Sequence, residues 1–180
     1  MGAVHGIAGG KIMADEMGDG ISRRGLSGLP MAAALAAAGA ATAGEASAAT
    51  DRATALRAAN LRLVQRVYEE VLGPIDPGPV DEIFAPDYIQ HNPNVVSGAQ
   101  GLKDMLIRSR KNIPNAEHHV KRILVDGNMA MAHVHVIFRP GQELGHAAVD
   151  IFRIENGKIA EHWDVTQDVP ATAVNKNGMF

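Results

Sequence analysis

The sequence predicts an α+β fold in which three N-terminal helices pack on a four-stranded antiparallel sheet. Two observations carry this. Helical spacing and helix caps occur only before Ala116, and from there on apolar residues alternate with polar ones. The alternating runs are also joined by short, turn-like links, which suits antiparallel rather than crossover pairing. With 180 residues and a formal net charge of -3, the chain suits one domain. No basic run or Lys/Arg stripe appears, which argues against a nucleic-acid surface. Cys is absent, so disulfides and thiolate metal sites are excluded and His and carboxylate are the strong ligand types left.

Residues 1–48 read as a leader outside the fold, disordered or cleaved. Ser22-Arg23-Arg24-Gly25-Leu26 precedes an uncharged, Ala-rich run and then Ala46-Ser47-Ala48, a small-x-small cleavage pattern. Together these read as a twin-arginine export signal, which places the mature chain in the periplasm or outside the cell. The apolar run is too rich in Ala and Gly to serve as a permanent membrane anchor. The other reading is a disordered leader with a true start at Met13, Met17 or Met31. The working domain is expected over 49–180.

Ala53 to Leu72 is the first helix, with Leu56, Leu63, Val67 and Val71 at helical spacing, and Gly73-Pro74 ends it. Tyr68 lies beside that stripe, where core packing is its simplest role. Pro79 to Phe84 is a short second helix, with Pro at its start and acids in its first turn. Tyr88 to Pro93 is a short extended piece cut off by proline. Ser97-Gly98-Ala99-Gln100 has the form of a capping box and opens the third helix, which ends before Ile113-Pro114.

The first strand alternates His119, Lys121, Ile123 and Val125 with Val120, Arg122 and Leu124, and Asp126-Gly127-Asn128 turns the chain. Met129 to Phe138 follows, with Met131, His133, His135 and Ile137 on one face. The last two strands form a hairpin about Asn156-Gly157, a dipeptide that accepts positive φ at both turn positions. One face of this hairpin carries Ala148, Asp150, Phe152 and Ile154, then Ala160, His162, Asp164 and Thr166.

Asp150 therefore stands among apolar side chains, where a carboxylate is costly unless paired or protonated. If the sheet curls about the helices, Asp150, His133, His135, His162 and Asp164 share a pocket. Histidine beside a carboxylate at a partly dry site can move a proton near neutral pH. The chemistry suited to this is proton abstraction next to a carbonyl, with a nearby donor for the enolate oxygen. H-x-H near acids is also a possible metal site, though no compact metal motif is present. His118 and His119 read as ordinary strand residues, and His146 as a loop residue. No phosphate loop, activated serine or Cys nucleophile is present. No cofactor is expected, and without a compact ligand motif no metal is expected either.

YIQHNP with its following capped helix, VDIFRIENGKIAEHWDV and the terminal NKNGMF together resemble the SnoaL-like polyketide cyclase branch of the nuclear transport factor 2-like superfamily. The similarity is closest to the group of aldol-condensation enzymes and spans about Ala53 to Phe180. It implies a conical α+β barrel with an enclosed cavity, and a homodimer paired through the outer sheet face. It implies that Asp150 is the acid/base, that His135 is the cavity histidine and that His133 is a further polar cavity residue. It also raises Tyr68, His91 and Asn92 to pocket candidates and supports inward-facing His162 and Asp164. Ketosteroid isomerases of the superfamily carry their base near the position of Asn92; Asn cannot be a base, so the chain departs from that pattern. The expected function is a cofactor-independent cyclase, isomerase or lyase acting on a small carbonyl compound. The alternative is a periplasmic module of the same fold that binds a small molecule without chemistry, a reading that export favours.

Overall fold

The computed structural model describes residues 31–180, with side chains from 44 onward. The paired arginines of the expected export signal lie outside the described residues. Helix α1 is Met31–Arg66 and runs directly into a π-helical turn, Val67–Leu72. Helix α2 is Val80–Ile83 and α3 is Ala99–Asn112. The strands are β1 Phe84–Gln90, β2 Glu117–Asp126, β3 Met129–Ile137, β4 His146–Glu155 and β5 Lys158–Asp168. No described helix is long and apolar enough to cross a membrane.

The sheet corrects the sequence reading. It has five strands, not four, in the order β1-β5-β4-β3-β2, and it is mixed. The extended piece read over Tyr88 to Pro93 meets the fifth strand only at Tyr88–Gln90; that strand, β1, begins at Phe84 and pairs in parallel with the last strand in the chain. Pro86 lies within β1, and the register slips between Phe84 and Ile89. A strand that lacks a donor in its middle belongs at a sheet edge. The other pairings are antiparallel, as the short turns require.

Helix α3 also begins differently from its capping-box signature. Its N-cap is Gly98 at φ +95°, without a side-chain cap. Ser97 instead uses its Oγ to accept a hydrogen bond from the Gln90 backbone N–H at 3.1 Å. The β4–β5 turn forms as its dipeptide demands, with Asn156 at φ 50° and Gly157 at φ 73°.

The core lies between the helices and the inner sheet face. Val64, Val67, Val71, Ile83, Phe152 and Ile159 have essentially no solvent exposure. Two bulges set which side chains face it. In β5, Arg153 pairs with Glu161 while Ile154 pairs with Ile159, so Ala160 is the extra residue and both it and Ile159 are buried. In β2, Val120 pairs with Val134 while Arg122 pairs with His133, leaving Lys121 extra. The inward parity of β2 therefore reverses along its length, from His118 at one end to Ile123 and Val125 at the other.

Candidate functional site

The inner sheet face and the helices enclose a cavity of about 370 Å³. One part of its wall is apolar, from Val67, Ile75, Leu102, Leu106, Val136 and Phe152. The other part is polar, from Tyr88, Gln90, Asn92, His118, Asp150, His162 and Asp164. The register explains the gathering. Asp150 is directly opposite Asp164 and Phe152 opposite His162. Residues paired across antiparallel strands share a face, so the four side chains project together.

Asp150 sits at the centre of this group, with 13% of its side chain exposed against 12% for His162. The Tyr68 hydroxyl, carried by the π-helical turn, donates to Asp150 Oδ2 at 2.5 Å. Burial, then the Asp150 charge, pushes the Tyr68 hydroxyl far above the ordinary tyrosine range, so it stays a proton donor. His162 Nε2 lies 3.3 Å from Asp150 Oδ1.

The proton count at this contact follows from Gln90. The Asn92 backbone N–H donates to Gln90 Oε1 at 3.0 Å, which fixes which end of the amide is oxygen. His162 Nδ1 lies 2.9 Å from the same oxygen and must therefore carry a hydrogen. A neutral His162 would then present a lone pair at Nε2 to a carboxylate that also only accepts. One proton consequently lies between His162 and Asp150. Gln90 Nε2 in turn donates to the Tyr88 hydroxyl at 2.9 Å. Tyr88 keeps its own O–H for an acceptor in the cavity; burial, then the charges of Asp150 and Asp164, raises its pKa.

Asp164 accepts from Asn92 Nδ2 at 2.5 Å, and Asn92 Oδ1 accepts the Asn94 N–H at 2.8 Å. Asn92 is thus a fixed donor, in keeping with its inability to act as a base. Asp150, His162 and Asp164 each offer a ligand atom, all within 4.8 Å of one another, so these three could hold a divalent cation. Hydrogen bonds from Tyr68 and Asn92 already occupy an oxygen of each carboxylate and compete with such binding.

Three of the expected site residues lie elsewhere. His133 and His135 point out of the opposite face of the sheet from Asp150. The cross-strand partner of Asp150 is Ala132, so the inward residues of β3 are Ala130, Ala132, Val134 and Val136. His133 and His135 instead pack the C-terminal Phe180, with ring centroids 5.5 and 4.4 Å away, and His135 Nε2 donates to the Leu144 carbonyl at 2.8 Å. Neither can position Asp150 or polarise a carbonyl in the cavity. His91 is also outside. It stacks on Trp163 at 4.6 Å and meets Glu161 at 2.8 Å. Asp150, His162, Asp164 and Asn92 line the cavity, and Tyr68 braces Asp150.

Polar lining residues that the sequence does not mark as site residues include Tyr88, Gln90, His118 and His146. Tyr88 and Gln90 alternate on one face of the YIQ segment, a signal that was present once the segment is read as a strand. His146 belongs to β4, not to a loop, and meets Asp168 at 2.9 Å.

The family model for SnoaL-like polyketide cyclases matches residues 62–173. Among solved structures, a protein from Bacillus cereus ATCC 10987 assigned to the polyketide cyclases is 22% identical, with a TM-score of 0.54; the match covers 60% of this chain and 74% of that one. TsrD from Streptomyces laurentii is 26% identical with a TM-score of 0.51, over 61% of this chain and 89% of that one. An Agrobacterium tumefaciens C58 protein assigned as a SnoaL-like isomerase is 17% identical with a TM-score of 0.52, over 61% of this chain and 98% of that one. No curated protein matches the sequence at a significant level.

Proposed function

The chain belongs to the SnoaL-like polyketide cyclase family, and we propose that it is a cofactor-independent acid/base enzyme acting on a small carbonyl compound. The observation that carries this reading is the contact between His162 Nε2 and Asp150 Oδ1, 3.3 Å apart, inside a sheltered cavity. A carboxylate backed by an imidazole can take a proton from the carbon beside a carbonyl and return one elsewhere. Tyr68 holds Asp150 in place from behind, so the proton moves on the Oδ1 side. The resulting enolate then either attacks a second carbonyl, as in an aldol closure, or is reprotonated at another carbon, as in an isomerisation.

The lining also constrains the substrate. Among the described residues that line the cavity there is no Lys or Arg, while Asp150 and Asp164 are both present. An anion would enter without a counter-charge, so the substrate is read as uncharged. The apolar wall accepts its hydrocarbon part. A homodimer through the outer sheet face and export through the twin-arginine route complete the proposal. The first rests on the exposed Met129, Met131 and Leu124 of that face, and the second on Arg23-Arg24 with Ala46-Ser47-Ala48.

Purified Asp150→Asn, assayed beside the native chain on neutral aldehydes and ketones, tests the reading. The variant is expected to fold and to lose turnover by roughly 100-fold or more. Undiminished turnover in the variant would reject Asp150 as the acid/base.

A further inference from the structure

His118 lies beyond the machinery assigned so far, and its surroundings are unusual. It pairs with Val136 across β2 and β3, ahead of the Lys121 bulge, and so faces inward. It lines the cavity that holds Asp150. Among the described residues, its Nδ1 is the single buried side-chain polar atom without a hydrogen-bond partner. Buried polar atoms are almost always satisfied, so an orphaned one restricts which tautomer its ring can hold.

We propose that His118 is a ligand-binding residue that donates a hydrogen bond from Nε2 to the carbonyl oxygen of the bound compound. The tautomer follows from the orphaned atom. An unpaired lone pair is tolerated in a protein interior better than an unpaired N–H, so Nδ1 carries the lone pair and Nε2 the hydrogen. Nδ1 is closed off, and Nε2 has no hydrogen-bond partner among the described residues, so Nε2 is the nitrogen of this cavity-lining ring left for a ligand. The ring is also neutral. Burial lowers its pKa; the Asp150 carboxylate opposes that shift and neighbouring His119 adds to it. Tyr68 and Glu69 of the helical turn border a second hollow beside the ring. Tyr68 stays protonated, and Glu69 is already engaged by Arg62 at 2.6 Å.

The placement fits the chemistry. β2 is the sheet edge opposite β1, and Asp150 lies on β4 between them. A carbonyl oxygen held by His118 brings its neighbouring carbon inward from that edge, toward the Asp150–His162 pair. A neutral N–H strengthens its hydrogen bond as charge develops on the oxygen, without having to give up its proton. Such a role replaces the one the sequence reading gave to His133 and His135. It rests on the proposed carbonyl chemistry only for the type of ligand.

The probe is 1-tetralone, a neutral bicyclic ketone, with tetralin as its counterpart lacking the oxygen. Long-range proton–nitrogen spectra of the full chain are expected to show His118 as the neutral Nε2–H form near pH 7, with that proton shifting when 1-tetralone is added. His118→Phe is expected to weaken 1-tetralone binding roughly three- to tenfold while leaving tetralin unchanged. An Nδ1–H or cationic His118 would overturn the proposal. So would equal effects on both probes, no effect on either, or no saturable binding of 1-tetralone to the native chain. A loss seen with Tyr88→Phe and absent with His118→Phe would give the oxygen to Tyr88 instead. Asp150→Asn is expected to keep the ketone preference, so a failure of the catalytic reading leaves this result standing.

Discussion

Asp150 is the residue on which the site turns, and its neighbours explain how a nearly buried carboxylate is tolerated. Tyr68 supplies one oxygen and the shared proton with His162 the other, while Asn92 engages Asp164 opposite. Part of this was legible in the sequence. Period-two alternation places His162 and Asp164 on one face of the last strand, but a regular two-residue turn at Asn156-Gly157 would set Asp150 opposite Trp163, and it is the bulge at Ala160 that brings Asp150 opposite Asp164. What alternation does not supply is the parity of one strand against another across a longer connection. That parity puts Ala132, not His133 or His135, beside Asp150. His118 was hidden for a related reason. Ile123 and Val125 suggest an odd-numbered inner face, and only the bulge at Lys121 turns His118 inward. A pH prediction follows from its lowered pKa. A histidine that resists protonation when folded but not when unfolded adds nothing unfavourable above the unfolded value. As pH falls below roughly 6.5, the unfolded chain binds the extra proton and folding weakens. Denaturant unfolding between pH 7.5 and 5 is therefore expected to show stability lost on acidification, with a shallower loss in His118→Phe. The same slope in both chains would contradict the placement.

The elements were easier to recognise than their partners. Helical spacing located the helices, although α1 begins at Met31 rather than at Ala53, and turn chemistry located the hairpin. Only the end of β1, Tyr88 to Gln90, is legible as an extended piece, and pairing with β5 in parallel depends on contacts across most of the domain, which no local pattern records. That pairing matters to the site, because β1 brings Tyr88 and Gln90 beside His162. The loop that follows is fixed by close backbone packing. A Cβ on Gly101 in α3 would come within 2.0 Å of the Val96 carbonyl oxygen, which belongs to backbone and cannot move aside cheaply. Gly101→Ala is expected to destabilise the fold by about 2 kcal/mol or more and to loosen Asn92 from Asp164. Thermal unfolding of the variant checks this, and an unchanged midpoint would show that the Val96 turn is free to shift.

At the scale of the molecule, the two faces of the sheet divide the work. The inner face carries the cavity and its proton-handling groups. The outer face carries Met131, the stacked His91 and Trp163, and the terminal Phe180 over His133, His135 and the Lys121 ammonium. His133 and His135 therefore hold the tail against the sheet, which no strand pattern could show because the tail has no regular structure. If that face pairs two copies, sedimentation of the native chain gives a dimer, and Met131→Glu, which places a charge in the contact, gives monomer. A native chain that sediments as a monomer at all accessible concentrations would remove the dimer from the account.

The uptake of deuterium from D2O at the carbon beside the carbonyl of 1-tetralone, followed by proton NMR, isolates the proton transfer from whatever later step the natural substrate undergoes. The native chain is expected to accelerate this exchange over buffer at the same pH, and Asp150→Asn to reduce the acceleration by roughly 100-fold or more. Exchange at the same rate with the native chain and with Asp150→Asn would contradict a proton-transfer role for the Asp150–His162 pair.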